Sequence, residues 1–449
     1  MKLSRMFAPL VVAGATALAV GCGGTPGGSS DNAKTQTTAS AKPDVAKAGN
    51  VTLTVWDQEV RGGQAAQIKR LNGEFMAKYP NVKIKRVAKS FEDVNTTLKL
   101  AVSGPKAPDV VQANQGLGVM GQLVKAKLIR PVDDYAKIYG WADRYPSLLL
   151  DLNKFEPTGT TFGAGSLYGL SQMGEIVGVF YNKKKVTAVP KTLAEFEQQV
   201  ADAKAQGDVP VQFGNLDKWP GIHEYETLLG QTADKQAVRD FVFQKSGASF
   251  DTPAFTEAAT KLQGWAKSGN FTPDFNGVGY DPAWKRFSGG KGRFLIAGTW
   301  LVADLSKRMG DNVGFFLMPG ADAGADPVAL GGESLPFTIT SKAKNPDVAA
   351  AYIDFLTDAN AQKALSETDN LPAMKSDAPS ATTGLLGEVA TAWTTLGKAD
   401  GLIPYLDYTT TTFYDDISAA IQKLLAGKTS PEDFSKSVQG SVSSAKASS

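Results

Sequence analysis

The tightest constraint on the fold is a recurring pair, an alternating apolar strand followed by an amphipathic helix. VTLTVW at 51–56 places Val51, Leu53 and Val55 on one face, the period of two expected of a half-buried strand. A glycine pair, Gly62 and Gly63, leads into QAAQIKRLNGEFMAKY. There Ile68, Leu71, Phe75, Met76 and Tyr79 recur at helical spacing until Pro80. Val82 and Ile84 open another alternating strand, and DVNTTLKLAVSG carries Val94, Leu98 and Ala101 on a helix face. PDVVQA reads as a short buried strand and VMGQLVKAKL as a helix. Strands and helices alternating at intervals of roughly thirty residues imply βαβ units and a largely parallel sheet. The first half of the chain is therefore expected to be α/β.

A second series begins at the β-rich run EIVGVFYNKK. In KTLAEFEQQVADAKAQG, Thr192 and Glu195 form a capping box, Leu193, Phe196 and Val200 face inward, and Gly207 closes the helix. VPVQFG at 209–214 and FLIAG at 294–298 read as strands. Helix starts are marked by a cap followed by proline at Thr252-Pro253, Asp281-Pro282, Asn345-Pro346 and Ser430-Pro431. The chain is expected to be helical from about Thr410 and to fray over 440–449, GSVSSAKASS.

The only cysteine, Cys22, ends an apolar run that follows Lys2 and Arg5. Phe7 to Val20 is too short to span a bilayer comfortably and has the layout of a signal peptide over residues 1–21. The residues before Cys22 resemble a bacterial lipobox, with Leu18 one place early and Ala19 in its position. This implies diacylglyceryl attachment to Cys22 and tethering to the bacterial cell membrane by lipid alone. Residues 22–50, poor in large apolar side chains, read as a flexible linker. Removing residues 1–21 lowers the formal net charge from +2 to zero, so no basic face for a nucleic-acid partner is expected.

Catalytic and metal chemistry finds little support. One cysteine and one histidine, His223, cannot form a disulfide or a conventional zinc site. A histidine-based nucleophile system would depend on His223 in WPGIHEYE, which reads better as a surface or groove-rim residue. GKT at 427–429 lacks the earlier glycine of a phosphate loop and ends a helix, so Gly427 reads as a C-cap. No cofactor is implied. Paired carboxylates for sugar hydrolysis stay open, because their separation cannot be read from sequence. Aromatics do stand beside turn residues at strand ends: Trp56, Tyr168, Trp219 and Trp300. Open α/β sheets bind ligands at such ends, and flat apolar walls with polar edges suit a carbohydrate.

Several segments taken in order resemble the family 1 extracellular solute-binding proteins of ABC importers, the group that includes the maltodextrin-binding protein. They are LTVWDQ, EFMAKYPNVKI, APDVVQANQG, YGLSQMGEIVGVFYNKK with VPKTLAEFE, GRFLIAGTW, and LGGESLPFTITSKAKNPDVAAAYIDFLTDANAQKAL with LPA, over about 50 to 440. The resemblance implies a two-lobe, type II periplasmic-binding-protein-like α/β fold with discontinuous lobes. The N-terminal lobe would comprise 51–174 and 331–375, and the C-terminal lobe 175–330 and 376–449. Crossings are expected near Glu175–Tyr181, near Gly331 and after Met374. The ligand contacts it implies are Asp57, Gln58 and Glu59 after the first strand, Asn114 and Gln115 after the third, and Glu175, Gly332 and Glu333 at hinge crossings. In the second lobe they are Asp217, Trp219, the stacking Trp300, and Tyr414, which falls where the maltodextrin binder has a tryptophan. The implied function is a monomeric, extracytoplasmic oligosaccharide receptor without catalysis, serving importer permease subunits. The alternatives are a surface-tethered glycoside hydrolase and a receptor for a non-sugar solute.

Overall fold

The computed structural model describes residues 41–375 and 383–448. The signal segment, the lipobox and Cys22 lie outside them.

The first sheet has the order Val82–Ala88, Val51–Asp57, Val110–Gln112, Phe337–Ile339, Gly169–Leu170. Its first three strands are parallel, with Val51 opposite Val82 and Val55 opposite Val110, as the alternation with helices Gly62–Lys78 and Phe91–Ser103 requires. Phe337–Ile339 runs antiparallel between Val110–Gln112 and Gly169–Leu170. In the first strand Val51, Leu53, Val55 and Asp57 are buried while Thr52 is exposed, so the period-two phase continues through the strand's last residue.

The second sheet is mostly antiparallel. The long strand Gly174–Asn182 pairs antiparallel with Phe294–Gly298, Val313–Phe316 and Ala329–Glu333, and only Leu402–Ile403 pairs parallel, on Ala329–Glu333. VPVQFG is not a full strand. Val211 makes single bridges to Phe271 and Phe294, and Pro210 has no N–H with which to extend the ladder.

Three segments connect the sheets side by side. Ser334 N–H donates to the Met173 carbonyl at 3.0 Å, Gly174 N–H to Leu371 at 2.8 Å, and Ala373 N–H to Gln172 at 3.1 Å. Because Ala329–Glu333 pairs in the second sheet and Phe337–Ile339 in the first, the returning crossing spans 334–336, slightly later than Gly331.

Both ends of the described region are better packed than their composition suggests. Val45 is buried, and Asn81 Nδ2 donates to the Val45 and Gly49 carbonyls, each at 2.8 Å, so order begins inside the segment read as a linker. The last helix runs Pro431–Ala447, buries Phe434, Val438 and Val442, and packs on helices Pro253–Lys267 and Phe413–Leu425. The expected fraying over 440–449 is replaced by helix because Val442 continues that apolar stripe. Thr192, Thr252 and Ser430 accept N-cap hydrogen bonds. Asn345 caps by position only. Asp281 is not a cap: its helix starts at Tyr280 after Gly279, which leaves the carboxylate available to other partners.

Candidate functional site

A cavity of about 730 Å³ is lined by residues at strand ends of both sheets and by the helices and loops beside them. One wall is aromatic. Helix Trp219–Thr232 begins after Lys218 takes a φ of 69°, with Pro220 in its first turn, where a missing N–H costs nothing. Trp219 and His223, four residues apart, project from one face with ring centroids 5.2 Å apart. Trp300 lies in the turn just past strand Phe294–Gly298. Its indole folds back over Gly298, where a Cβ would overlap the ring, and its Nε1–H donates to Tyr280 Oη at 2.7 Å. Trp219 sits 4.4 Å from Tyr280 and 6.1 Å from Trp300, and His223 sits 5.3 Å from Tyr405. Tyr408 and Tyr414 extend the wall.

The facing wall is polar, with Gln58, Gln64, Ser90 and Asn114 among its residues. Gln58 is held by its backbone N–H donating to Gln112 Oε1 at 2.8 Å, and its side chain reaches Ser334 Oγ at 3.3 Å. Asn114 Nδ2 donates across the cavity to Asp407 Oδ2 at 3.3 Å, and Tyr405 Oη donates to Glu175 Oε1 at 3.1 Å. At the mouth Arg61 Nη1 donates to Asp281 Oδ1 at 3.2 Å, its guanidinium 5.6 Å from the Tyr280 ring centroid. Burial pushes Glu175 and Asp407 up to about 7, against the pull of Tyr405 on the first and Asn114 on the second. Burial likewise lowers His223 to about 3, so its imidazole is neutral at physiological pH and serves as one more flat ring.

A profile of bacterial extracellular solute-binding proteins matches residues 73–391, well over half of the chain. This chain belongs to that family. A maltooligosaccharide ABC transporter solute-binding lipoprotein of Streptococcus pneumoniae is 27% identical over 337 residues, 69% of this chain and 73% of that protein. An uncharacterized ABC transporter extracellular-binding protein of Pyrococcus horikoshii is 23% identical over 391 residues, 82% of this chain and 80% of the other. Among solved structures, a chitin oligosaccharide binding protein superposes with a TM-score of 0.74 at 24% identity, covering 89% of this chain and 99% of that one. The maltose-maltodextrin binding protein of Alicyclobacillus acidocaldarius does so at 0.69 and 21%, covering 87% and 100%. The shared architecture is the type II periplasmic-binding-protein fold, and members of the family are binding proteins rather than enzymes.

In this solute-binding protein the twelve contact residues implied by resemblance separate into two groups. Gln58, Asn114, Glu175, Asp217, Trp219, Trp300 and Tyr414 line the cavity. Asp57, Glu59, Gln115, Gly332 and Glu333 do not; they lie beneath its floor. Asp57 shares the core-facing phase of Val51, Leu53 and Val55. There it takes two hydrogen bonds from Arg86, at 2.7 and 2.6 Å. Glu59 accepts from Gln112 Nε2 at 2.7 Å, and burial raises it to about 8. Gln115 Nε2 donates to the Ser334 carbonyl at 3.1 Å, and its Oε1 accepts from Tyr408 at 3.2 Å. Glu333 is clasped by Asn153 and is also raised to about 8 by burial. At Gly332 an added Cβ would stand 2.7 Å from Leu152 Cδ1, so its bareness serves packing.

Two of the four strand-end aromatics are absent from the cavity. Tyr168 packs on Phe155 in the core, and Trp56 lies under Lys89. The cavity in turn uses residues that sequence reasoning passed over, namely Arg61, Tyr280, Asp281, Tyr405, Asp407 and Tyr408. The last three sit in IPYLDYTT, just past strand Leu402–Ile403. The strand-end rule would have reached them had that strand been long enough to show a period. Among the described residues no cluster of His, Cys, Asp and Glu is arranged to hold a metal ion, and no helix is long and apolar enough to cross a membrane.

Proposed function

We propose that this protein captures an oligosaccharide outside the cytoplasmic membrane and hands it intact to the permease subunits of an ABC importer. The reading is supported above all by a continuous aromatic wall, with half-buried carboxylates set among its rings, facing amides across one cavity. Sugar C–H faces pack on such rings while amides and carboxylates hydrogen-bond the hydroxyl rim. The cavity volume falls in the range of small-molecule sites, about 300–1,000 Å³. The relatives named for maltooligosaccharide and chitin oligosaccharide agree with it.

The lobes 51–174 with 331–375 and 175–330 with 376–449 act as two bodies that close on the sugar about the three crossings. The ligand biases closure only as far as it binds the closed form better. The protein works as a monomer, and a lipid on Cys22 keeps it at the cell membrane; Cys22→Ser releases it into the soluble fraction on cell fractionation, whereas salt-resistant membrane association of that variant argues against the anchor. Glu175 and Asp407 in one aromatic cavity are also the minimum a glycoside hydrolase needs. Calorimetric titration with gluco- and chito-oligosaccharides, followed by chromatography of the recovered ligand, separates the two functions. Binding with intact recovery is expected, cleavage products would replace the receptor by an enzyme, and absence of binding to every saccharide would remove the carbohydrate reading.

A further inference from the structure

The cavity is acidic in a way that its own residues do not compensate. Glu92, Glu175, Asp217, Asp281 and Asp407 line it against two cations, Arg61 and Arg286. Arg61 is engaged by Asp281 at the mouth, and Arg286 is exposed on the outer helix. Deeper in, Glu175 and Asp407 make no ion pair among the described residues; Glu175 accepts from Tyr405, and Asp407 from Asn114 and from its own backbone N–H, all neutral donors. An ionised carboxylate offers about four acceptor sites, so each keeps capacity for a donor within the cavity it lines. His223 stays neutral. From behind, the helix Trp219–Thr232 brings Glu226, whose Oε1 is taken by the Leu406 N–H at 2.6 Å and whose carboxyl is pushed by burial well above the usual carboxylate range, so that side adds no cation.

Around these two carboxylates stand Trp219, His223, Trp300, Tyr405 and Tyr408, whose ring faces attract a cation as well as a C–H surface. Trp219 lines the same cavity, and its indole N–H is buried without a hydrogen-bond partner among the described residues.

We infer that the preferred ligand is a saccharide carrying a protonated amine, with its ammonium facing Glu175 and Asp407 and its sugar rings against the aromatic wall. This rests on the carbohydrate reading above and narrows it. Desolvated carboxylates that lack a counter-ion are costly, and both are raised to about 7. A ligand ammonium removes that cost, whereas a neutral hydroxyl relieves it only in part.

The test is calorimetric titration of the full-length mature protein with matched pairs. One pair is chitotriose and its de-N-acetylated form; the other is maltotriose and its 6-amino-6-deoxy counterpart; spermidine is the sugar-free amine. The amine-bearing member of at least one pair binds about tenfold to a hundredfold more tightly than its neutral partner, the value of a charged hydrogen bond. Asp407→Asn and Glu175→Gln bring that ratio toward one, with folding checked by thermal melting. Glu388→Gln, whose carboxylate pairs with Lys183 away from the cavity, leaves the ratio unchanged and stands as the control. Equal or tighter binding of the neutral members overturns the amine inference and leaves the carbohydrate reading intact. Binding of spermidine alone, or of nothing in the set, overturns both.

Discussion

The two walls of the cleft are built from different chemistry. The second-sheet side presents seven flat rings, Trp219, His223, Tyr280, Trp300, Tyr405, Tyr408 and Tyr414, while the first-sheet side presents Gln58, Gln64, Ser90 and Asn114 with a single ring, Phe91. Rings supply contact area at little entropic cost, since each side chain has only two rotatable bonds, and they tolerate many rotations of a sugar. Amides supply direction but little area. On the proposed reading the aromatic side supplies contact area for a sugar and the polar side supplies its orientation. Arg61 and Asp281 meet across the mouth, and Asn114 and Asp407 across the interior, so the two walls already touch through polar pairs.

The broadest way to probe the contrast is pH, because several buried carboxylates respond together, among them Glu224 and Glu226, which burial raises well above the usual carboxylate range. Glu175 and Asp407 face the cavity and are raised to about 7; Glu59 and Glu333 lie below it and are raised to about 8. A folded-state value above the unfolded one means the native state binds more protons between the two, so stability falls as pH rises through that window. Denaturant titrations of the ligand-free protein should show the decline from about pH 5 to pH 8. A flat profile would mean these groups are better solvated or better paired than the structure shows. An amine-bearing ligand should flatten only the part due to Glu175 and Asp407.

The next largest effect is expected of Trp300→Ala. As a half-buried wall it should cost about 2–4 kcal/mol of ligand affinity, roughly thirty-fold to several hundred-fold in Kd. The ligand-free fold should lose less than the about 3–5 kcal/mol of a fully buried aromatic. Near-normal affinity beside a large stability loss would move the indole from the wall into the core. Asp57→Asn tests the opposite assignment. It breaks the pair with Arg86, whose side chain keeps 24% exposure, so we discount the buried-pair cost to about 2–3 kcal/mol of stability. Affinity per folded molecule should barely change; a selective loss of affinity would return Asp57 to the site. The smallest effect belongs to the polar wall. Asn114→Ala should weaken binding by about 1 kcal/mol, read by titration, and a loss as large as that of Trp300→Ala would erase the contrast between the walls.

How far each feature could be read in advance depends on the range of the interaction behind it. The first sheet was legible because period-two strands and period-3.6 helices are local patterns, and they predict parallel pairing through the connecting helix. Trp219 and Trp300 were legible because each flanks a recognisable helix start or strand end. That same period-two count could have shown Asp57 facing the core, since it continues Val51, Leu53 and Val55. Tyr405, Asp407 and Tyr408 were hidden behind a two-residue strand that has no period of its own.

The sequence by itself determined the strand–helix alternation and the helix caps at Thr192, Thr252 and Ser430, carried by neighbours a few residues apart, and the family to which the chain belongs, carried by the order of segments along the chain. Only the tertiary structure decided which strand-end groups line the cavity. Arg86 on the adjoining strand neutralises Asp57 in the core, whereas among the described residues no cation pairs with Glu175 or Asp407. Whether a carboxylate becomes scaffold or cavity lining depends on the charge that folding places beside it, and that partner can lie on another strand, as Arg86 does for Asp57, 29 residues away.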